Sequence, residues 1–205
     1  MNKYLIILLF FSLLSVTPTS AESVTAMEVL DFAAAKVRKD GGLKVEYAIK
    51  ADGKTESGTL SMQGSKFHCT MPGLMTWYDG KTLWSYVTAN EEVNVSEPSS
   101  SEVAKINPYA FLSIYKKGYT AKFGKSTADC YEVVLTAQNA KTSITSMIIR
   151  VSRKDKQIKY AKLTNSRNGS AEISVKSYRK GQKFTASSFR FDKKKYPQAE
   201  VIDLR

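Results

Sequence analysis

From residue 43 to its end the chain is written in short stretches of alternating apolar and polar residues, each closed by a turn signal and recurring about every 10–14 residues. Leu43, Val45, Tyr47 and Ile49 alternate with Lys44, Glu46, Ala48 and Lys50, the period-2 pattern of a strand with one wet face. Asp52-Gly53 and Asp79-Gly80 supply tight turns, and Asn168-Gly169 a third. Further strands are expected over 58–63, 67–71, 74–78, 81–87, 92–96, 119–123, 131–135, 144–151, 158–164, 171–178 and 184–191. Strands this short and this closely spaced leave no room for crossover helices between them, so the pattern predicts an antiparallel sheet that meanders and curls.

Helical periodicity appears once ahead of the strands and again between them. Thr25-Ala26-Met27-Glu28 fits a capping box, in which the Thr hydroxyl and the Glu carboxylate each satisfy a free backbone amide. Ala26, Leu30, Ala33 and Val37 then recur at helical spacing, Lys36, Arg38 and Lys39 suit the negative end of the helix dipole, and Gly41-Gly42 stops the helix. That predicts a helix over 25–39, roughly 22 Å long. Ser99 to Glu102 repeats the capping box ahead of Val103, Ala104 and Ile106; Asn107-Pro108 starts another helix carrying Tyr109, Phe111, Leu112 and Tyr115. The class read from these elements is α+β, mainly β: a helix, half a sheet, two short helices, half a sheet, in one domain.

The N-terminus carries a different signal. Lys3 precedes an apolar run of 13 residues, 4–16, and Thr19-Ser20-Ala21 places small residues where a peptidase cleaves. This reads as a secretory signal peptide over 1–21, too short to span a membrane, with the domain occupying 22–205. No Cys follows the run, so no lipid anchor is expected. Export makes a disulfide chemically possible; Cys69 and Cys130 would close a loop of about 60 residues, worth roughly 4 kcal/mol, with two buried free thiols as the alternative.

Catalytic constellations are missing from the sequence. His68 is the only histidine, and its neighbour Cys69 points to the opposite side of any strand, so the pair cannot share a proton. No phosphate loop, nucleophile elbow or metal-ligand spacing occurs, and no cofactor is expected. Thirty-one Lys and Arg against 19 Asp and Glu give a net charge of +12. The charge is spread over the chain without a nucleic-acid-binding motif, so no nucleic acid is expected; it fits solubility, an anionic membrane or an acidic partner. An aromatic and Met concentration from Phe67 to Tyr86 either fills a core or lines a cavity, and composition does not separate the two.

Trp77-Tyr78-Asp79-Gly80-Lys81-Thr82-Leu83-Trp84-Ser85-Tyr86, running on to Asn94-Val95-Ser96-Glu97-Pro98, resembles the periplasmic outer-membrane lipoprotein carrier (LolA-like) family. The signal peptide without a lipidation Cys, the Asn107-Pro108-Tyr109-Ala110-Phe111-Leu112 segment, and the tail through Phe189, Phe191, Pro197 and Val201-Ile202-Asp203 agree with it in order. The resemblance implies an incomplete antiparallel β-barrel with an α-helical lid over a hydrophobic cavity. It implies a periplasmic, non-enzymatic, monomeric carrier of acylated lipoproteins or another lipid cargo. An inner-membrane lipoprotein-releasing transporter would load it and an outer-membrane acceptor would unload it. On that reading the strand lining is Leu43, Val45, Tyr47, Ile49, Phe67, Trp77, Trp84 and Tyr86, with Met147, Ile149, Ile173 and Val175 from the second half. Leu30, Ala33, Val37, Phe111, Leu112 and Tyr115 face down from the lid. One departure is plain: the family's Arg-Pro pair, tied to lid closure, is absent where this chain reads Met62-Gln63-Gly64-Ser65-Lys66-Phe67. A lipid- or lipoprotein-sensing module signalling to a membrane partner, and a structural β-domain with a filled core, are the rival readings.

Overall fold

A computed structural model describes residues 24–99, 102–103, 115–116, 118–139, 141–167 and 169–205. Its first element, α1 (Ala26–Lys39), carries the expected capping box: Thr25 Oγ1 accepts from the Glu28 amide at 3.2 Å, and Glu28 Oε2 accepts from the Thr25 amide at 2.7 Å. The strands are β1 (Leu43–Ala51), β2 (Lys54–Gln63), β3 (Lys66–Met71), β4 (Leu74–Tyr78), β5 (Leu83–Val87) and β6 (Glu92–Ser96), then β7 (Tyr119–Phe123), β8 (Cys130–Ala137), β9 (Ile144–Ser152), β10 (Ile158–Asn165), β11 (Ser170–Lys180) and β12 (Glu200–Asp203). They form one curved, unclosed sheet in the order β12-β6-β5-β4-β3-β2-β1-β11-β10-β9-β8-β7. Two meanders, β1 to β6 and β7 to β11, are joined by the long β1–β11 pair. A bulge between Glu46 and Tyr47 there adds local twist.

Turn chemistry explains the tight corners. Asp52 and Gly53 have φ of 49° and 75°, the two left-handed residues of a two-residue hairpin whose twist matches the strands. Asp79 Oδ1 accepts from the amides of Lys81 and Thr82 at 3.1 and 2.9 Å, an Asx turn that sets the β4–β5 connection. Gly58 is needed for space: a Cβ there would lie 2.5 Å from the Thr70 carbonyl oxygen and from the Tyr47 ring.

The sequence expectation fails over 184–191. That stretch is not a strand but a 3₁₀ turn, Ala186–Phe189, in which the Ser188 amide donates to the Thr185 carbonyl at 3.0 Å. The Thr185 hydroxyl bonds those of Ser187 and Ser188, and Phe184 meets Phe189 edge-on at 5.3 Å. Local hydroxyl bonding competes with a ladder here. The last strand is β12 instead, and it runs parallel to β6, the one parallel pair in the sheet order. Of the middle helices, Glu102 and Val103 are helical and the Ser99–Glu102 box forms, with Ser99 N to Glu102 Oε2 at 2.8 Å. The helix expected from Asn107 lies outside the described residues, as do Phe111, Leu112 and the signal segment. Cys69 on β3 and Cys130 on β8 are free thiols. The disulfide expectation is corrected because β2, β1, β11, β10 and β9 stand between their strands.

Candidate functional site: one apolar face of the open sheet

Cross-strand partners in a sheet share a face. Met62 opposes both Leu43 and Phe67, Leu60 opposes Val45 and Cys69, and Phe67 opposes Tyr78, which opposes Leu83. In the other direction Tyr47 opposes Val175, Ile49 opposes Ile173, Ile173 opposes Ala161, and Ala161 opposes Ile149. Met147 and Ile149 continue to Leu135 and Val133 on β8. A single apolar face therefore runs unbroken from β5 to β7.

Nine residues of the expected lining stand on it: Leu43, Val45, Tyr47, Ile49, Phe67, Met147, Ile149, Ile173 and Val175. Its two flanks are packed. Ala26, Val29, Leu30, Ala33 and Ala34 of α1 bury against Val133, Leu135, Met147, Ile149 and Val151 on β8 and β9. Leu43, Val45, Leu60, Met62, Phe67 and Cys69 form a second cluster. Ile49, Ile173 and Val175 are only half-buried and pack at the edge of the second cluster. Val37, at the C-terminal end of α1, touches both clusters, and Val103 comes down on the second. Of the expected lid residues, Leu30, Ala33 and Tyr115 are buried and Val37 is half-buried.

Polar groups along this face are paired. Tyr47 Oη donates to the Thr70 carbonyl at 2.9 Å and lies 3.2 Å from Cys69 Sγ. Burial, with Cys69 beside it, pushes the Tyr47 hydroxyl far above its ordinary value, and burial raises the Cys69 thiol, so both are neutral. The helix is pinned at two carboxylates. Asp31 accepts from Tyr115 Oη at 2.6 Å and Lys116 Nζ at 2.7 Å, which hold its pKa below the usual range, Lys116 foremost. Asp40 takes Lys36 and accepts from Tyr178 Oη at 2.7 Å on β11; burial opposes its ionisation, but Lys36 and Tyr178 outweigh it and lower the pKa.

Trp77, Trp84 and Tyr86 are not on this face, contrary to the sequence expectation. Because Phe67 pairs with Tyr78, Trp77 points to the opposite side, a one-residue difference in register. Trp77 opposes Trp84, and Tyr86 opposes Val93. The tail covers them: Phe191 and Tyr196 meet the Trp77 ring edge-on at 5.7 Å each, and Ala199 is buried beside them. Sequence reasoning also missed Leu60, Met62, Tyr78 and Leu83 on the inner face. The alternation of Leu60 and Met62 was the available signal, together with the Gly64-Ser65 turn that fixes the β2–β3 register. Gly64 takes φ 61° in that turn.

His68 and Cys69 oppose Trp77 and Thr76 respectively, so they lie on opposite faces. Among the described residues no group of three or more His, Cys, Asp or Glu is placed to hold a metal. Among them, too, no helix is long and apolar enough to cross a membrane.

The sequence matches the family model described as "Outer membrane lipoprotein carrier protein LolA" over residues 14–169. No curated protein matches. Among solved structures, the chain is similar to an uncharacterized conserved protein from Thermus thermophilus, with 12% identity, TM-score 0.60, and 87% of this chain and 98% of that chain covered. It is also similar to a LolA superfamily protein from Nitrosomonas europaea (11%, TM-score 0.43, 82% and 99% covered) and to the MucA/MucB complex of Pseudomonas aeruginosa (8%, TM-score 0.45, 82% and 61% covered). With more than half of its length matched by that model, the chain belongs to the LolA outer-membrane lipoprotein carrier family.

Proposed function

We propose that this protein is a periplasmic carrier that shields the acyl chains of lipoproteins against the helix-side face of its open sheet and moves them from the inner to the outer membrane. The observation that carries the reading is one continuous apolar face that packs in two clusters and on which Ile49, Ile173 and Val175, at the edge of the second cluster, are only half-buried. An acyl chain gains about 0.8 kcal/mol per buried CH₂, so one of about sixteen carbons gains roughly 12 kcal/mol when fully covered. A carrier must also give that energy back. It does so by offering its own apolar groups as competitors: when α1 moves, its Leu30, Ala33 and Val37 exchange contacts with strand residues for contacts with lipid, and two states of similar energy make loading reversible. The reading assigns carriage rather than catalysis. Its partners are a lipoprotein-releasing transporter at the inner membrane and an acceptor at the outer one, as in the family.

A release assay tests this. The purified protein is incubated with inner-membrane vesicles bearing lipoproteins and the transporter, plus ATP, and the supernatant is examined for one-to-one complexes. The expected result is a soluble complex with the native chain and its loss with Val175→Glu. No soluble complex, and no uptake of a hydrophobic dye by a folded protein, would overturn the reading and leave a filled β-domain.

A further inference from the structure

One corner of the molecule combines a surplus of cations with an exposed aromatic ring. At the ends of β7 and β9 and the start of β8, Phe123 is 44% exposed, and its ring centroid lies 6.0 Å from that of Tyr131. The Arg153 guanidinium sits 3.9 Å from the centre of the Tyr131 ring, and Lys156 Nζ 5.3 Å from it. Lys125, Arg150, Arg153, Lys154, Lys156 and Lys159 bring six positive charges to this corner. Asp129, Glu132 and Asp155 bring three negative ones, for a local balance of 6 − 3 = +3. Two of these carboxylates are engaged, Glu132 with Arg150 at 2.8 Å and Asp155 with Lys159 at 3.6 Å. Lys125, Arg153, Lys154 and Lys156 form no salt bridge with a described residue.

We propose that this corner is a docking surface for an anionic lipid bilayer. Cations over Tyr131, beside the exposed ring of Phe123, are the pairing that a headgroup layer takes: the charges meet phosphates and the phenyl ring enters the interface. An acidic protein would use the charges but gives no role to Phe123. The placement also connects to the apolar face. Phe123 opposes Val133, a residue of that face, so a bilayer touching this rim meets the face at its β7 edge, with β8, β9 and β10 between it and Ile173 and Val175 on β11. The inference stands on the patch itself and not on the carrier reading, and its test uses no lipoprotein.

The test is flotation of the purified protein with vesicles of phosphatidylglycerol and phosphatidylethanolamine, against vesicles of phosphatidylcholine. Binding to the anionic vesicles alone is expected, falling steeply from about 50 mM to about 500 mM salt. Lys154→Glu combined with Lys156→Glu is expected to weaken partitioning by about tenfold or more, and Phe123→Ser by several-fold at unchanged net charge. Lys50→Glu with Lys54→Glu, at the far hairpin, is the control for bulk charge and is expected to leave most of the binding. Circular dichroism confirms that each variant is folded. No binding by the native chain, equal losses from the two double variants, or binding to soluble polyglutamate in place of vesicles would overturn the proposal.

Discussion

His68 shows how much a single position in this sheet is decided by its surroundings. Its ring stacks on Trp77, with centroids 4.8 Å apart and planes 10° from parallel, and its Nε2 is buried without a hydrogen-bond partner among the described residues. Burial first, then Lys195 and Lys44, lowers its pKa from 6.5 to about 4. Between those values the unfolded chain binds a proton that the folded chain refuses. Stability therefore rises with pH across that window, and the His68 penalty is absent above about 6.5 and complete below about 4. Denaturant midpoints measured from pH 7 to pH 4 should fall, and His68→Phe, which keeps the stack, should flatten that fall; an identical slope in the variant would refute the burial of a neutral imidazole. At this scale the sequence was legible in type and illegible in direction. It placed Phe67 and Trp77 in strands, but only the pairing of Phe67 with Tyr78 decides that one faces α1 and the other the tail. Alternation alone fixes relative faces within a strand, never between strands.

The elements divide by how local their causes are. Helix α1 was legible from end to end, because Thr25, Glu28 and the basic last turn act within a few residues of one another. The hairpins at Asp52-Gly53 and Asp79-Gly80 were legible for the same reason. The tail was not: residues 184–191 carry aromatic residues that look like a strand, yet the 3₁₀ turn packs on β3 and Phe191 on the outer side of β4 and β5, far away in sequence. Phe191 and Tyr196 stack on each other at 5.6 Å and close over Trp77 and Tyr86. A strand reading also misses β12, whose burial is slight and whose pairing to β6 begins where the Glu200 amide donates to the Glu91 carbonyl at 2.8 Å. If the tail is the cover of these aromatics, Phe191→Ala with Tyr196→Ala should shift tryptophan emission to the red and destabilise the protein by about 2 kcal/mol or more. Unchanged emission would mean that Trp77 and Trp84 are shielded by something else.

At the scale of the molecule, the two sides of one sheet are built for different work. The outer side of β4 to β6 is closed by the tail into an aromatic core, with Trp77 5% exposed and Val93 fully buried. The inner side packs in two clusters and is only half-buried at Ile49, Ile173 and Val175, at the edge of the second. The open sheet with a helix on one face was legible from strand spacing and capping, and family resemblance supplied the carrier reading proposed for it. The division of labour between faces was not legible, because it depends on which strand follows which in space. Photo-crosslinking reads that division. A benzophenone side chain placed at Val175, and in a second variant at Trp84, is irradiated while the protein is loaded from membranes labelled with radioactive palmitate. Labelled lipoprotein should crosslink at position 175 and not at position 84. Crosslinking at 84 in preference to 175, or at neither in a folded protein that is exposed to cargo, would contradict the assignment of the helix-side face as the acyl-chain site.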